Sequence, residues 1–193
     1  MNRERYNNIR KEYGHVGSWA LWNKIDEKKK PKYGIGNIEI FEEEDIVEKL
    51  NPNIVFVGLN ISKKIEQVFG NFHSDSGRAN DFKLRYAFQG TSLEGGYMTD
   101  IIKDFEEKVS GKVSSYLRKN PEFLKMNLET FKKELEDIGC ENPIIIAFGN
   151  DAYNILTRKY KGNNVYKLTH YSARISKEDF KKEVDALIEK IGK

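Results

Sequence analysis

The chain has 193 residues, of which 38% are hydrophobic and 33% are charged, and its formal net charge is +3. This length suits a single domain with a full hydrophobic core, and the composition excludes a disordered chain. The single cysteine, Cys140, cannot form an intramolecular disulfide or a cysteine metal cluster, which favours a reducing compartment. No apolar stretch approaches membrane-spanning length, and the polar start Met1-Asn2-Arg3-Glu4-Arg5 lacks the apolar core of a signal peptide. We therefore expect a cytoplasmic protein without a membrane partner.

Residues 1–50 are predicted to form an N-terminal cap that packs on the core of one domain spanning residues 1–193. Trp19 and Trp22 are predicted to be packing anchors, because large aromatic side chains dominate core burial. The pattern of residues 35–41 is typical of a strand or a hairpin arm. The next segment has helical spacing behind an acidic first turn, so it predicts a short helix with the apolar residues Ile46, Val47 and Leu50.

Residues 53–57 predict the central strand of the sheet, because they form a short apolar run that enters from a proline and breaks at Gly58. Residues 63–89 lack sustained periodicity, and such a long irregular segment in a compact domain is usually functional. Residues 95–100 predict a brief strand. A helix is expected after it, with an apolar face of Ile101, Ile102, Phe105 and Val109.

The C-terminal half alternates helices and strands. Residues 122–138 predict an amphipathic helix that stops at Gly139, and residues 143–149 and 164–169 predict two further strands. Asn150-Asp151 is expected to cap the helix between these strands, and Ser176-Lys177-Glu178-Asp179 resembles a capping box that opens the last helix. This alternation predicts an α/β fold of three layers, α/β/α, around a mostly parallel four-stranded sheet.

Polar side chains follow three of the predicted strands, in Asn60-Ile61-Ser62, Thr99-Asp100 and His170-Tyr171-Ser172. The carboxyl ends of parallel strands meet at one edge of a sheet, where such folds bind their ligands. Taken singly, a strand-end Asn or Ser commonly caps a turn, and a lone His is commonly structural. Their order along the chain is more informative.

In this order the motifs resemble those of the uracil-DNA glycosylase superfamily, over about residues 50–191. Gly58-Leu59-Asn60-Ile61-Ser62 is similar to the first motif of the mismatch-directed branch, and Phe69-Gly70-Asn71-Phe72-His73 lies where the family carries an aromatic residue that stacks on a flipped base. Residues 97–103 are similar to the Thr-Asn-x-Val-Lys segment of the family. Residues 144–153 resemble its apolar strand and Ala-Tyr helix, and His170-Tyr171-Ser172 resembles its closing His-Pro-Ser motif.

The resemblance implies a hydrolase of base excision repair, which cleaves the N-glycosidic bond of a damaged or modified base in DNA. It implies that Asn60 orients the water and that His170 stabilises charge on the departing base. The implied base-binding residues are Gly58, Leu59, Phe72, Thr99 and Asp100, and the implied nucleic-acid contacts are Ser62, Lys63, Ser172, Arg174 and Lys177. Such chemistry needs preorganised dipoles rather than a metal or another cofactor. We expect a monomer.

The chain departs from the family pattern at four positions. Ile61 and Tyr171 replace prolines that stiffen two loops, and Asp100 replaces the amide that reads the base edge. Arg174 stands where the family often has a leucine wedge, so single-stranded or mismatched DNA is the expected substrate rather than perfect duplex. The departures leave open an alternative, a nucleic-acid- or nucleotide-binding module of this fold whose catalysis is altered or lost.

Charge placement favours a polyanionic partner. Residues 152–177 contain six basic residues and no acidic ones, namely Arg158, Lys159, Lys161, Lys167, Arg174 and Lys177. Such a patch beside the expected site would neutralise phosphates. The competing interpretation is a solvated face that acidic residues from elsewhere balance.

Overall fold

A computed structural model of the protein describes residues 1–103, 105–161 and 163–192. The described residues form one sheet of five strands in the order β1-β3-β2-β4-β5. Strands β3, β2, β4 and β5 are parallel, whereas β1 pairs antiparallel with β3 at the edge. The strands are β1 Ser18–Trp19, β2 Asn51–Asn60, β3 Gly96–Ile102, β4 Ile144–Phe148 and β5 Val165–Leu168.

Helices lie on both faces of this sheet. They are α1 Arg3–Tyr13, α2 Ile46–Lys49, α3 Phe82–Phe88, α4 Ser110–Lys119, α5 Pro121–Ile138, α6 Gly149–Ile155 and α7 Lys177–Ile191. A 3₁₀ turn spans Glu39–Glu42, and a π-helical turn, Leu156–Tyr160, continues α6. None of the helices in the described ranges is long and apolar enough to cross a membrane.

The sheet separates two apolar cores because successive side chains of a strand point to opposite faces. In β2, Val55, Val57 and Leu59 face the core that α1, α4 and α5 cover. Ile54 and Phe56 face the other core, which is covered by α3 and α7. The α/β class and the mostly parallel sheet are thus as predicted.

Helix α5 confirms the amphipathic pattern of its sequence. Phe131, Leu135 and Ile138 are buried, and Gly139 ends the helix with a φ of +84°, a left-handed conformation that glycine adopts without steric cost. The capping box of α7 is also confirmed, since Ser176 Oγ accepts a hydrogen bond from Asp179 N at 3.0 Å. Trp19 and Trp22 are buried as predicted, and so is Cys140.

Four features of the fold differ from the expectations. The sheet has five strands rather than four, because the predicted cap contributes β1. Residues 35–41 form turns and the 3₁₀ turn instead of a strand. Ile101 and Ile102 extend β3 instead of starting a helix, since Ile102 pairs with Asn60 of β2. Helix α6 begins at Gly149, directly after β4, and not behind a cap at Asn150-Asp151.

Candidate functional site

The carboxyl ends of β2 and β3 bring Gly58 and Asp100 into register as neighbours. A Cβ atom at position 58 would lie 2.1 Å from Asp100 Oδ1 and 3.7 Å from Phe72 Cζ. The absence of a side chain at Gly58 therefore allows the Asp100 carboxyl group to approach this strand, and the Phe72 ring lies at van der Waals distance beside it. The three residues come from separate sequence motifs and meet at one point of the sheet edge.

Asp100 is buried, with 5% of its surface exposed, and Asn71 holds its carboxyl group. Asn71 Nδ2 donates to Asp100 Oδ2 at 2.9 Å and to the carbonyl oxygen of Val16 at 2.8 Å. Burial raises the pKa of Asp100 to about 6, and the charge of Glu134 adds to this effect, whereas the Asn71 hydrogen bond and the charge of Lys103 oppose it. Asp100 is thus a carboxyl group that titrates close to neutral pH.

An aromatic cluster adjoins Asp100 and consists of Phe72, Phe148, His170 and Tyr171. The Phe72 ring centroid lies 6.1 Å from that of Phe148 and 6.2 Å from that of Tyr171. The imidazole of His170 stacks on Tyr171 with the centroids 4.7 Å apart. Burial raises the pKa of Tyr171, and the charges of Asp81 and Asp100 raise it further, so the phenol lies near both carboxyl groups.

His170 is held in one tautomer by the residue two positions later. The backbone N–H of Ser172 donates to Nδ1 at 3.2 Å, and Ser172 Oγ lies 2.8 Å from the same nitrogen. Burial lowers the pKa of His170, so its imidazole is neutral at neutral pH. With Nδ1 accepting a hydrogen bond, the ring proton is on Nε2, which can donate to a ligand.

Asn60 lies at the same edge of the sheet and is bonded to the segment that follows β3. Its Nδ2 donates to the carbonyl oxygen of Phe105 at 3.0 Å and to that of Glu107 at 2.8 Å. Both amide protons are therefore used within the protein. In the described part of the chain, no donor reaches Asn60 Oδ1, which leaves this oxygen free to accept a hydrogen bond from water.

The loop that carries Phe72 is fixed by the N-terminal segment. Phe69 N donates to the carbonyl oxygen of Gly14 at 2.7 Å, and Ser18 Oγ donates to that of Phe69 at 2.7 Å. Phe69 and Phe72 both have a positive φ, 61° and 62°, a conformation that is strained for a bulky residue. Strain of this kind persists where the surrounding contacts enforce it and is common at functional sites.

Buried His73 supports the same loop rather than the site itself. Its ring nitrogens lie 2.8 Å from the carbonyl oxygen of Asn71 and 3.0 Å from that of Leu21. The imidazole also stacks on Trp22, with centroids 5.0 Å apart. The N-terminal residues thus build one wall of the site.

Lys83 of α3 fastens the loop that carries His170. Its Nζ donates to the carbonyl oxygens of Tyr171 at 2.9 Å and Ala173 at 3.2 Å, although the side chain is buried. A buried ammonium group is costly unless it is hydrogen-bonded, so this cross-link holds the loop and the lysine together. It constrains the turn that contains Tyr171.

Two of the expected base-binding residues lie away from Asp100. Leu59 packs into the core on the opposite face of β2 from Gly58. Thr99 precedes Asp100 in β3 and therefore points to the other face, where its Oγ1 donates to Glu134 Oε1 at 2.9 Å. Strand alternation separates both side chains from the carboxyl group of Asp100.

The expected nucleic-acid contacts are exposed apart from Lys177, which is partly buried; these residues are Ser62, Lys63, Ser172, Arg174 and Lys177. Lys177 stands 3.8 Å from the centroid of the Tyr86 ring and pairs with Glu178 at 2.8 Å. Burial raises the pKa of Asp81 and the charge of Lys63 opposes this rise, so this lysine lies near Asp81.

The predicted basic patch is divided between two edges of the sheet. Lys159 and Lys161 line a cavity of about 580 Å³ together with Ile145, near the start of β4, and Asn164, just before β5. This is the amino edge of the sheet, whereas Arg174 follows β5 at the carboxyl edge. The six basic residues therefore do not form one surface beside the site.

No protein-family model and no curated protein match this chain.

The site also contains three side chains that were not among the expected site residues, namely Asn71, Asp81 and Lys83. Asn71 lies within the motif that contains Phe72, but Asp81 and Lys83 carry no local signal, because only the folded chain brings α3 to the loop after β5.

Proposed function

We propose that this protein is a uracil-DNA-glycosylase-like α/β/α hydrolase that cleaves the N-glycosidic bond of a damaged or modified base in nucleic acid. The observation that supports the proposal most is the proximity of Phe72, Asp100 and the His170 loop. These residues come from three separate motifs, and they adjoin one another through Gly58 and the aromatic cluster. An aromatic ring beside a hydrogen-bonding carboxyl group suits a planar heterocycle.

In the proposed mechanism, Asn60 acts on the attacking water and His170 acts on the departing base of the N-glycosidic bond. Asn60 Oδ1 accepts a hydrogen bond from the attacking water and orients it, and the amide leaves that water unionised. His170 donates its Nε2–H to the base as negative charge develops there, which is electrostatic stabilisation by a neutral, preorganised donor. Asn60 is the last residue of β2 and His170 follows β5, and these strands are two positions apart in the sheet, or roughly 10 Å.

The test is a cleavage assay on labelled single-stranded and mismatched oligonucleotides that contain uracil or other altered bases. Alkali treatment converts each abasic site into a strand break that a gel resolves. We expect Asn60→Ala and His170→Ala to lose the product, while the exposed residues supply matched controls, Asn154→Ala and His15→Ala, that retain it. Absence of product above the Asn60→Ala and His170→Ala background across the whole panel would refute the hydrolase.

A second candidate function is a binding module of the same fold that has lost hydrolysis. It is favoured by Tyr171, whose ring packs against Phe148 and stacks on His170. In the proposed hydrolase a base would have to enter at this position. This candidate predicts salt-sensitive binding of oligonucleotides or nucleotides without abasic product. Failure to bind either kind of ligand at low salt would exclude it.

A further inference from the structure

Asp100, and not its neighbour Asn71, can offer a ligand a hydrogen-bond acceptor. The polar atoms of Asn71 are all used within the protein. Asn71 Nδ2 donates to Val16 and Asp100, and its Oδ1 accepts from Phe72 N at 3.1 Å. No residue in the described ranges donates to Asp100 Oδ1. The amide thus fixes one carboxyl oxygen, and the other, Oδ1, has no donor among these residues and lies next to Gly58 and Phe72.

An ionised carboxylate only accepts hydrogen bonds, and this limits the edge that a ligand can present to it. The edge of guanine carries adjacent donors, the ring N1–H and the 2-amino group. The edge of uracil places its single N–H between two carbonyl oxygens, which a carboxylate repels. A ligand with adjacent N–H donors therefore pairs with Asp100 without placing an acceptor beside it, whereas uracil places carbonyl oxygens beside the carboxylate.

We infer that the site selects a base whose edge presents adjacent N–H donors, as guanine and its derivatives do, in preference to uracil. The inference rests on the proposed function in taking the ligand to be a nucleic-acid base. Phe72 supplies a ring for the face of the base, and Asp100 Oδ1 supplies the acceptor for its edge. Gly58 has no side chain, and Asp100 Oδ1 and the Phe72 ring both lie beside it.

The surroundings of Asp100 make this preference depend on pH. Burial raises the pKa of Asp100, the hydrogen bond from Asn71 and the charge of Lys103 oppose this rise, and the charge of Glu134 of α5 adds to it. The facing groups from the loop after β5, Tyr171 and His170, are uncharged at neutral pH because burial raises the pKa of the phenol and lowers that of the imidazole. Near Tyr171 lies also Asp81, whose pKa burial raises to about 6.

Protonation of Asp100 changes which edge of a base can form hydrogen bonds with it. Above about pH 6, Asp100 is ionised and accepts only. Below that pH the proton is on Oδ1, because Oδ2 accepts from Asn71, and Oδ1 then donates to an acceptor such as a carbonyl oxygen of uracil. The Asp100→Asn variant keeps an oxygen for Asn71 and presents an uncharged amide donor at every pH, so it separates the charge of Asp100 from its position.

The experiment measures binding by fluorescence anisotropy with labelled single-stranded oligothymidylates that hold one central guanine or uracil nucleotide. At pH 8 we expect the wild type to bind the guanine probe about tenfold or more tightly than the uracil probe, and this ratio to shrink at pH 5. Asp100→Asn should lose most of the ratio at pH 8 and its dependence on pH. The exposed Asp75→Asn removes the same charge elsewhere and should keep the wild-type ratio. Circular dichroism checks that both variants fold.

The binding and cleavage results are separable. A wild type that binds the two probes equally, or prefers uracil at pH 8, overturns the inference even if it cleaves uracil. The expected binding ratio without abasic product supports the inference and overturns the hydrolase. An unchanged ratio in Asp100→Asn overturns the inference, and absence of binding to both probes overturns it together with the proposed function.

Discussion

At the scale of single residues, the site contains two carboxyl groups that burial keeps from ionising easily. Burial raises the pKa of both Asp81 and Asp100 to about 6. Asp81 Oδ2 accepts a hydrogen bond from Ser74 N at 2.7 Å, which stabilises its charged form but does not offset its desolvation. An acid whose pKa is higher in the folded state binds its proton more tightly there than in the unfolded chain.

The first prediction concerns pH and Asp81. Because the folded pKa exceeds the ordinary value of 3.8, Asp81 lowers the stability of the protein as pH rises from about 4 to about 6. Asp81→Asn keeps an acceptor for Ser74 N and cannot ionise. Urea denaturation should show the variant gaining on the order of 2 kcal/mol relative to the wild type between pH 4 and pH 7.5. A stability difference that does not change with pH would contradict the proposed burial of charge.

The second prediction tests the close approach at Gly58. A methyl group there would lie 2.1 Å from Asp100 Oδ1, so Gly58→Ala must displace the carboxyl group or the strand. We expect a loss of about 1–3 kcal/mol in the free energy of unfolding. Gly77→Ala is the matched control, since no atom lies within 4 Å of a Cβ at that exposed position, and it should change stability by less than about 1 kcal/mol. Equal effects of the two substitutions would show that the approach is not constrained.

At the scale of elements, β3 serves two environments through its alternating side chains. Asp100 faces the site, whereas Tyr97 and Thr99 face α5, where both donate to Glu134 Oε1. Lys103 Nζ pairs with Glu134 Oε2 at 2.8 Å, and the side chains of this pair are 6% and 0% exposed. The ion pair and its hydrogen bonds join the strand of the site to the longest helix.

The third prediction compares two ion pairs of α5. Lys103→Met leaves the Glu134 carboxylate buried without its cation, and we expect this to cost about 3–5 kcal/mol in the free energy of unfolding. Lys133→Met breaks the exposed pair between Lys133 and Asp137 on the same helix and should cost about 1 kcal/mol or less. Chemical denaturation of both variants measures the difference. Similar costs would mean that the buried pair contributes no more than a surface pair.

The elements differ in how far the sequence predicts them. Helix α5 and strand β4 are long or strongly apolar, so their periodicity is unambiguous. Strand β1 has two residues and offers no period, and Ile101-Ile102 fits either a strand or a helix. In the site, Asp100 and His170 follow apolar runs and are predictable as strand-end residues. The Asn71 and Lys83 contacts are not, because they join segments that are distant in the sequence.

At the scale of the whole molecule, the basic residues of the C-terminal half lie at two opposite edges of the sheet. Arg174 is exposed on the loop beside the site, whereas Lys159 lies at the opposite edge of the sheet, in the wall of the cavity there. The net charge of +3 is modest, so binding of a polyanion depends on where these charges lie. If a nucleic acid binds at the candidate site, the basic residues at the carboxyl edge are the ones placed to contact its phosphates.

The fourth prediction uses this separation. If oligonucleotides bind at the carboxyl edge, Arg174→Ala should reduce the slope of log affinity against log salt concentration by about 0.7, the loss of one phosphate contact. Lys159→Ala removes one charge at the amino edge and should leave the slope unchanged. Anisotropy titrations between low and physiological salt measure both slopes. A larger effect of Lys159→Ala would relocate the nucleic acid to the cavity edge.

The pairing of β1 with β3 also has a consequence for the order in which the protein folds. During synthesis the residues of β1 leave the ribosome long before Met98 and Tyr97, with which they pair. The loop of Phe72 depends on the same N-terminal segment, through Gly14 and Ser18. Non-local pairing forms late because the loop-closure entropy must first be overcome. The candidate site is therefore expected to form after the parallel strands have assembled, so slow folding would delay the site more than the core.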